Sequence, residues 1–262
     1  MDRHPQQIKR ERQDKKKHHR NIAKTSEMKT IIKTVMEEKK LSKILPTPYV
    51  ASNFKTLYNS DVGPLFLNFT ISVSTQNTRG VHMSRLIKST LNHTSGRYIE
   101  DSLVKIHDEI TQTQPNCIIN VKFQFPVQDQ FLDTSITLNP NKDFDYVFKL
   151  TGITSCPCSK AISGVGHMQR TILTLKLHQT DMINFEEVAL NLNECFSASL
   201  KEFLNRADEA NKIIDAQNNS KFVEDVVRDC LKRFTNAKYI HAQSLESIHS
   251  HDAIATWPKN SV

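Results

Sequence analysis

Two stretches of strict alternation limit what this chain can fold into. In Leu65-Phe66-Leu67-Asn68-Phe69-Thr70-Ile71-Ser72-Val73-Ser74 apolar and polar residues exchange places with period two. In Cys117–Val127 the residues Ile119, Val121, Phe123 and Phe125 fall on one face. A strand sends successive side chains to opposite faces, so this pattern describes strands buried on one side only. Phe144–Ile153, Arg170–His178, Tyr239–Ile248 and Ala253–Trp257 also read as strands. Met83–Leu91, Tyr98–Thr111, Asn184–Leu200 and Ser220–Phe234 read as helices. Phe185, Val188, Leu192 and Phe196 form an apolar stripe on the third of these, and Ser220 is the expected N-cap of the fourth, with Phe222, Val226 and Val227 facing inward. The order strands, two helices, strands occurs twice, without a repeat of sequence. An α+β protein is expected, with helices covering one face of antiparallel sheets and with exposed sheet edges that favour assembly.

The 262 residues allow one large domain or two smaller ones. No run of about 18 or more apolar residues is present, and the polar N-terminus lacks a secretory signal, so no membrane span and a cytoplasmic location are expected. Residues 1–20 hold eight Lys/Arg against three acids and so carry +5 of the net charge of +7. This tail is expected to be solvated rather than to bind nucleic acid. A short helical piece follows near Glu27–Lys43, ended by Pro46 and Pro48. The five cysteines are an odd number in a chain that is not small, which argues against a disulfide framework. Cys117, Cys195 and Cys230 lie in apolar-periodic stretches and read as small buried hydrophobes.

Chemistry concentrates in Thr154–Arg170. Cys156 and Cys158 are separated by a single proline, and His167 follows eleven positions after Cys156. In an extended strand the two thiols would point to opposite faces, so one ligand is expected from the pair. Gly164 and Gly166 permit a turn that returns His167 toward it. Thiolate plus imidazole suits zinc, iron or manganese. No second Cys/His pair has metal spacing, so a distant carboxylate and water would complete an open, catalytic coordination. Asp208-Glu209, Glu224-Asp225 and the dense acid–base stretch Glu246–Asp252 are the candidates.

Thr154-Ser155-Cys156-Pro157-Cys158-Ser159-Lys160 followed by Gly166-His167-Met168-Gln169-Arg170 resembles the signature of the GTP cyclohydrolase I type IB family. Three further segments agree in order: Arg79-Gly80-Val81-His82-Met83-Ser84-Arg85, Lys221–Asp229, and Glu246-Ser247-Ile248-His249. The likeness runs over roughly residues 60–257 and leaves residues 1–45 outside it. It implies a tunnelling fold of two tandem ββααββ units, about 46–143 and 144–262, assembled as a homotetramer. It implies metal-dependent hydrolysis of GTP to 7,8-dihydroneopterin triphosphate and formate, the first step toward tetrahydrofolate. By the same resemblance Cys156, His167 and Glu209 hold a divalent metal (Zn, Mn or Fe(II)), with Glu224 a further carboxylate at the site. Glu246 anchors guanine and His249 moves protons. His82, Arg85, Lys160 and Arg170 face the triphosphate. Three features depart from the family's pattern: the stretch from Cys156 to His167 is one residue shorter, Met168 stands where Asn is usual, and Ala207 stands where proline is common.

Two enzyme alternatives share the resemblance: an archaeal-type cyclohydrolase giving a cyclic phosphate, and a reductase of a deazaguanine nitrile needing a nucleophilic cysteine and NADPH. The class-different alternative is a nucleic-acid-binding protein acting through its basic tail.

Overall fold

The computed structural model describes residues 48–74 and 81–258. The basic tail, the helical piece near Glu27–Lys43 and the Arg79-Gly80 pair lie outside the described residues.

Among the described residues nine strands form one antiparallel sheet. They are β1 (Pro48–Ser60), β2 (Gly63–Ser74), β3 (Ile118–Val127), β4 (Gln130–Leu138), β5 (Phe144–Ser155), β6 (Met168–Gln179), β7 (Ala198–Ser199), β8 (Ala237–Leu245) and β9 (Ala253–Trp257). Their order across the sheet is β1-β2-β3-β4-β5-β6-β8-β9, with the two-residue β7 paired to β5. β4 pairs with β5 from Asp133↔Lys149 to Leu138↔Phe144, so one sheet runs unbroken through the middle of the chain.

The helices are α1 (Met83–Asn92), α2 (Ile99–Thr111), α3 (Pro157–Ser163), α4 (Phe185–Asn193), α5 (Arg206–Asn218) and α6 (Val223–Arg233). The element order is therefore ββααββ, followed by a second half in which the two strand pairs enclose three helices, α4, α5 and α6, with α3 and β7 inserted besides. The alternation in β2 and β3 is realised as read: Leu65, Leu67, Phe69 and Ile71 are buried, as are Ile119, Val121, Phe123 and Phe125. Helix α2 lays Leu103, Ile106 and Ile110 on this face. Helix α4 inserts Phe185 among Phe123, Phe125 and Phe148, with ring centroids 5.9, 5.2 and 5.9 Å away. Each such buried side chain contributes about 1.5–3 kcal/mol relative to its exposed state. Cys117, Cys195 and Cys230 are buried as expected, and burial pushes the Cys117 thiol up to about 12.

Several local readings are corrected. The helix expected over 184–200 ends at Asn193, because Phe196 leaves the helical path to pack on β5. A Cβ on Gly152 would lie 2.2 Å from that ring, so glycine is required for the approach. The Ser197 amide then donates to the Ile153 carbonyl at 2.8 Å. Ser220 does not cap α6. Its hydroxyl donates to the Gln217 carbonyl at 2.6 Å, and the cap position is Phe222, whose amide donates to Asp225 at 3.0 Å. Asp208 and Glu209 lie in the first turn of a helix that the sequence reading did not include: Asn205 caps α5 by accepting the Asp208 amide at 3.0 Å. That helix escaped the sequence because it has no apolar stripe. Ala216 is its one buried residue, and Ile213 and Ile214 are exposed. β8 stops at Leu245, which leaves Glu246–His249 in a loop rather than in a strand.

Candidate active site

The site grows from the ends of β5 and β6. Their ladder runs to Ser155↔Met168, and one more bond closes it, the Cys156 amide donating to the His167 carbonyl at 3.0 Å. Beyond Ser155 the chain is not extended through Cys-Pro-Cys. Cys156 has extended angles but is the N-cap of α3, with Pro157 at the first helical position, where its missing N–H costs nothing. Cys158 therefore lies in the first turn of a helix and is exposed, while Cys156 is half-buried. The thiols part because strand changes to helix between them, not because a strand alternates. Gly164 ends α3 with φ +82°, donating its amide to the Lys160 carbonyl at 2.9 Å. This helix of about two turns and its glycine cap span the stretch before His167.

Gln217 of α5 clamps the return. Its Oε1 accepts the Gly166 amide and its Nε2 donates to the Gly166 carbonyl, both at 2.8 Å. A Cβ on Gly166 would stand 2.5 Å from the Cys156 carbonyl oxygen and 2.6 Å from Ser155 Oγ, so the approach admits no side chain.

His167, Glu246 and His249 converge, each offering one ligand atom, with these atoms all within 4.8 Å of one another. The side chains of His167 and Glu246 are 14% and 11% exposed, which leaves the carboxylate only a narrow opening to solvent. His167 and His249 meet at 89° with centroids 6.1 Å apart, and His251 stacks on His249 at 5.1 Å. Gln169 bridges the group. Its Nε2 donates to Glu246 Oε1 at 3.4 Å, and its Oε1 lies 2.9 Å from His167 Nδ1. The carboxylate only accepts, so it draws the amide nitrogen toward itself and turns the amide oxygen to the imidazole. His167 Nδ1 then carries the proton, and Nε2 keeps a lone pair for a ligand. Two imidazoles and a carboxylate form a donor set suited to a divalent transition metal, so the residues present fit such an ion.

The other expected site residues are placed less centrally. Cys156 is next to His167 through the backbone, but its thiol is not in the converging group. Glu209 and Glu224 are exposed in the first turns of α5 and α6, outside that group. The Lys160 ammonium donates to the Gln217 carbonyl at 2.5 Å, so it bolts α3 to α5. Arg170 is exposed, one residue after Gln169 on β6, and so leaves the opposite face of the strand. His82 is the N-cap residue of α1, and its carbonyl accepts the Arg85 amide at 2.8 Å. Among the described residues, no ion pair or side-chain hydrogen bond joins His82, Arg85 or Arg170 to the group. Gln169 and Gln217 have positions that spacing did not disclose. Gln169 stood within the motif after His167, whereas nothing in the sequence linked Gln217 to it.

Comparison with known proteins places these features. The family model described as type I GTP cyclohydrolase folE2 matches residues 59–255. "GTP cyclohydrolase FolE2" of Pelobacter propionicus is 28% identical over 197 residues, covering 68% of this chain and 76% of that protein. The protein of the same name from Dictyoglomus thermophilum is 31% identical over 200 residues, covering 69% and 77%. Among solved structures, uricase from Arthrobacter globiformis superposes with a TM-score of 0.50 at 7% identity, covering 84% of this chain and 97% of that one, a likeness of fold alone.

Proposed function

The chain belongs to the type I GTP cyclohydrolase folE2 family, and on that premise we propose that it is a type IB enzyme that hydrolyses GTP to 7,8-dihydroneopterin triphosphate and formate at the His167–Glu246–His249 group. The convergence of these three side chains within 4.8 Å carries the reading. It joins residues 82 positions apart in sequence, from two segments that the family resemblance singles out.

In this reading His167, Cys156 and Glu209 of α5 would hold a divalent cation. A divalent cation supplies Lewis acidity that makes water a nucleophile near neutral pH. Glu246 accepts the adjacent N–H groups on the guanine edge, which fixes the base and its C8 relative to His167. Its second role is to orient Gln169, which in turn orients His167. His249 lies on the open side of the group, and its two ring nitrogens can take a proton at one step and return it at another, as ring opening and loss of formate require. The low exposure of Glu246 strengthens its bonds to the base by excluding competing water. Lys160, Arg170, His82 and Arg85 are proposed for the triphosphate, Lys160 by releasing the Gln217 carbonyl when phosphate binds.

A second ligand set is favoured by the geometry itself: His167, Glu246 and His249 could hold the cation directly. Metal content decides between them. Cys156→Ala should lose the metal and GTP turnover in the first reading, whereas Glu246→Gln and His249→Ala should keep the metal and lose turnover. Metal retained in Cys156→Ala but lost in both others would establish the second set. Formate release and a pterin fluorescent after oxidation, with zinc, manganese or ferrous iron supplied in turn, test the activity. No turnover with any of them would reject it, and the mass of the product separates the open triphosphate from a cyclic phosphate.

We also propose a homotetramer. Among the described residues β1 and β9 end the sheet with no further strand paired to them, and Tyr49, Val50 and Leu57 on β1 are exposed. A second copy would cover such an edge. A monomeric mass by light scattering would reject this.

A further inference from the structure

The face of the sheet that the helices leave uncovered carries a second site. Register places Asn68, Lys122, Ser135, Val147 and Lys176 in one row across β2 to β6, and Gln124, Asp133, Lys149, Thr174 and His241 in the next. Residues paired across antiparallel strands share a face, so Lys122, Lys149 and Lys176 project together. Lys122 and Lys149 line a cavity of about 750 Å³ together with Phe66, Gln124, Phe131 and Ser135. That volume lies in the range of small-molecule sites. Among the described residues the lysines that form ion pairs are Lys142, Lys201, Lys221 and Lys232, which leaves Lys122 and Lys149 without an anionic partner. Among the described residues Asp133 is the one acid lining the cavity; its Oδ1 accepts from Gln124 Nε2 at 2.9 Å, and its other oxygen has no donor among them. Phe66 is 80% exposed and Phe131 58%, both at the rim. The positive field of this face is felt further along it: His241 is held below the usual imidazole value by partial burial and then by the Lys149 charge.

We infer that this cavity binds a nucleoside triphosphate, its phosphates on Lys122 and Lys149, its base against Phe66 and Phe131, and an exocyclic amino group on Asp133. Each contact answers one part of such a ligand. Unpaired ammonium groups match phosphate, exposed aromatic rings accept any base by its face, and a carboxylate with a free oxygen takes an amino group. The site is separate from the His167 group. Lys149 precedes Ser155 by six residues on β5, about 20 Å at the rise of an extended strand.

ATP, titrated calorimetrically into the full chain at low and at raised salt, tests this, with inorganic tripolyphosphate as the phosphate-only probe. ATP should bind and weaken with salt. Lys122→Gln with Lys149→Gln should weaken it at least tenfold, as should Phe66→Ala alone, with GTP turnover and melting temperature unchanged in both. Tripolyphosphate should bind more weakly than ATP. Binding that survives the lysine pair, or no binding at millimolar ATP and low salt, would overturn the assignment. So would tripolyphosphate binding as well as ATP while Phe66→Ala has no effect, or loss of ATP binding in Glu246→Ala, which would place the ATP in the other site.

Discussion

The Cys156 amide donates to the His167 carbonyl at 3.0 Å, closing the β5–β6 ladder one residue past its last pair. This bond fixes where His167 begins its approach to Glu246. Gly166 packs directly against it. In Gly166→Ala the new Cβ meets the backbone oxygen of Cys156 at 2.5 Å, and neither strand end can yield without breaking the rung. We expect a loss of about 1–3 kcal/mol in urea denaturation and, if His167 holds the metal, a lowered metal content. A variant that keeps both stability and metal would contradict this role.

Gln217 holds the same residue from the other side through two 2.8 Å bonds to Gly166. Gln217→Ala leaves a partly buried amide and carbonyl unpaired, a cost of about 1–3 kcal/mol. Gln217→Glu keeps the acceptor and loses the donor, so it should fall between. Equal stabilities of all three proteins would show that the clamp is dispensable.

Gln169 fixes the protonated nitrogen of His167. Gln169→Leu frees the imidazole to rotate and to change tautomer, so, if His167 holds the metal, metal affinity should fall about 10–100-fold with the far-ultraviolet circular dichroism unchanged. Competition with a chelator of known strength gives the number. Undiminished affinity would mean that Glu246 alone orients the ring.

Glu100 lies 1% exposed in the first turn of α2 and accepts the Tyr146 hydroxyl at 3.1 Å. Burial raises its carboxyl above the ordinary 4.5, and the bonds to Tyr146 and two backbone amides offset only part of that. The folded chain therefore keeps a proton that the unfolded chain releases. Its contribution to stability is fully present below the ordinary glutamate value and declines as pH rises through the raised folded value. Glu100→Gln has no such proton, so its stability relative to wild type should grow with pH across that window. Parallel urea curves at each pH would remove the effect from this residue.

The alternating strands were legible because burial on one face imposes period two whatever lies above it. Leu65, Leu67 and Phe69 report the core without reference to any partner. Helices α2 and α6 were legible for the same reason with a different period. Helix α5 was not, since an exposed helix needs no apolar stripe, and neither was β4, although Leu132, Ile136 and Leu138 are buried on it. Phe196 misled: it continued the stripe of α4 in sequence but reaches Gly152 only after the helix has ended.

Within the candidate site, sequence alone determined the chemical inventory, Cys156, His167, Glu246 and His249 in two motif segments, and with it the family. Residue type and short spacing are local properties that need no fold. Tertiary structure alone decided which of these groups meet. It brought Glu246 and His249 to His167 across the ends of β6 and β8, set the Cys156 thiol outside their group, turned Arg170 to the opposite face of its strand, and enlisted Gln217 from a helix that had no visible connection to the motif. Distance in space depends on strand register and on where each strand ends, and both are settled by packing over the whole sheet.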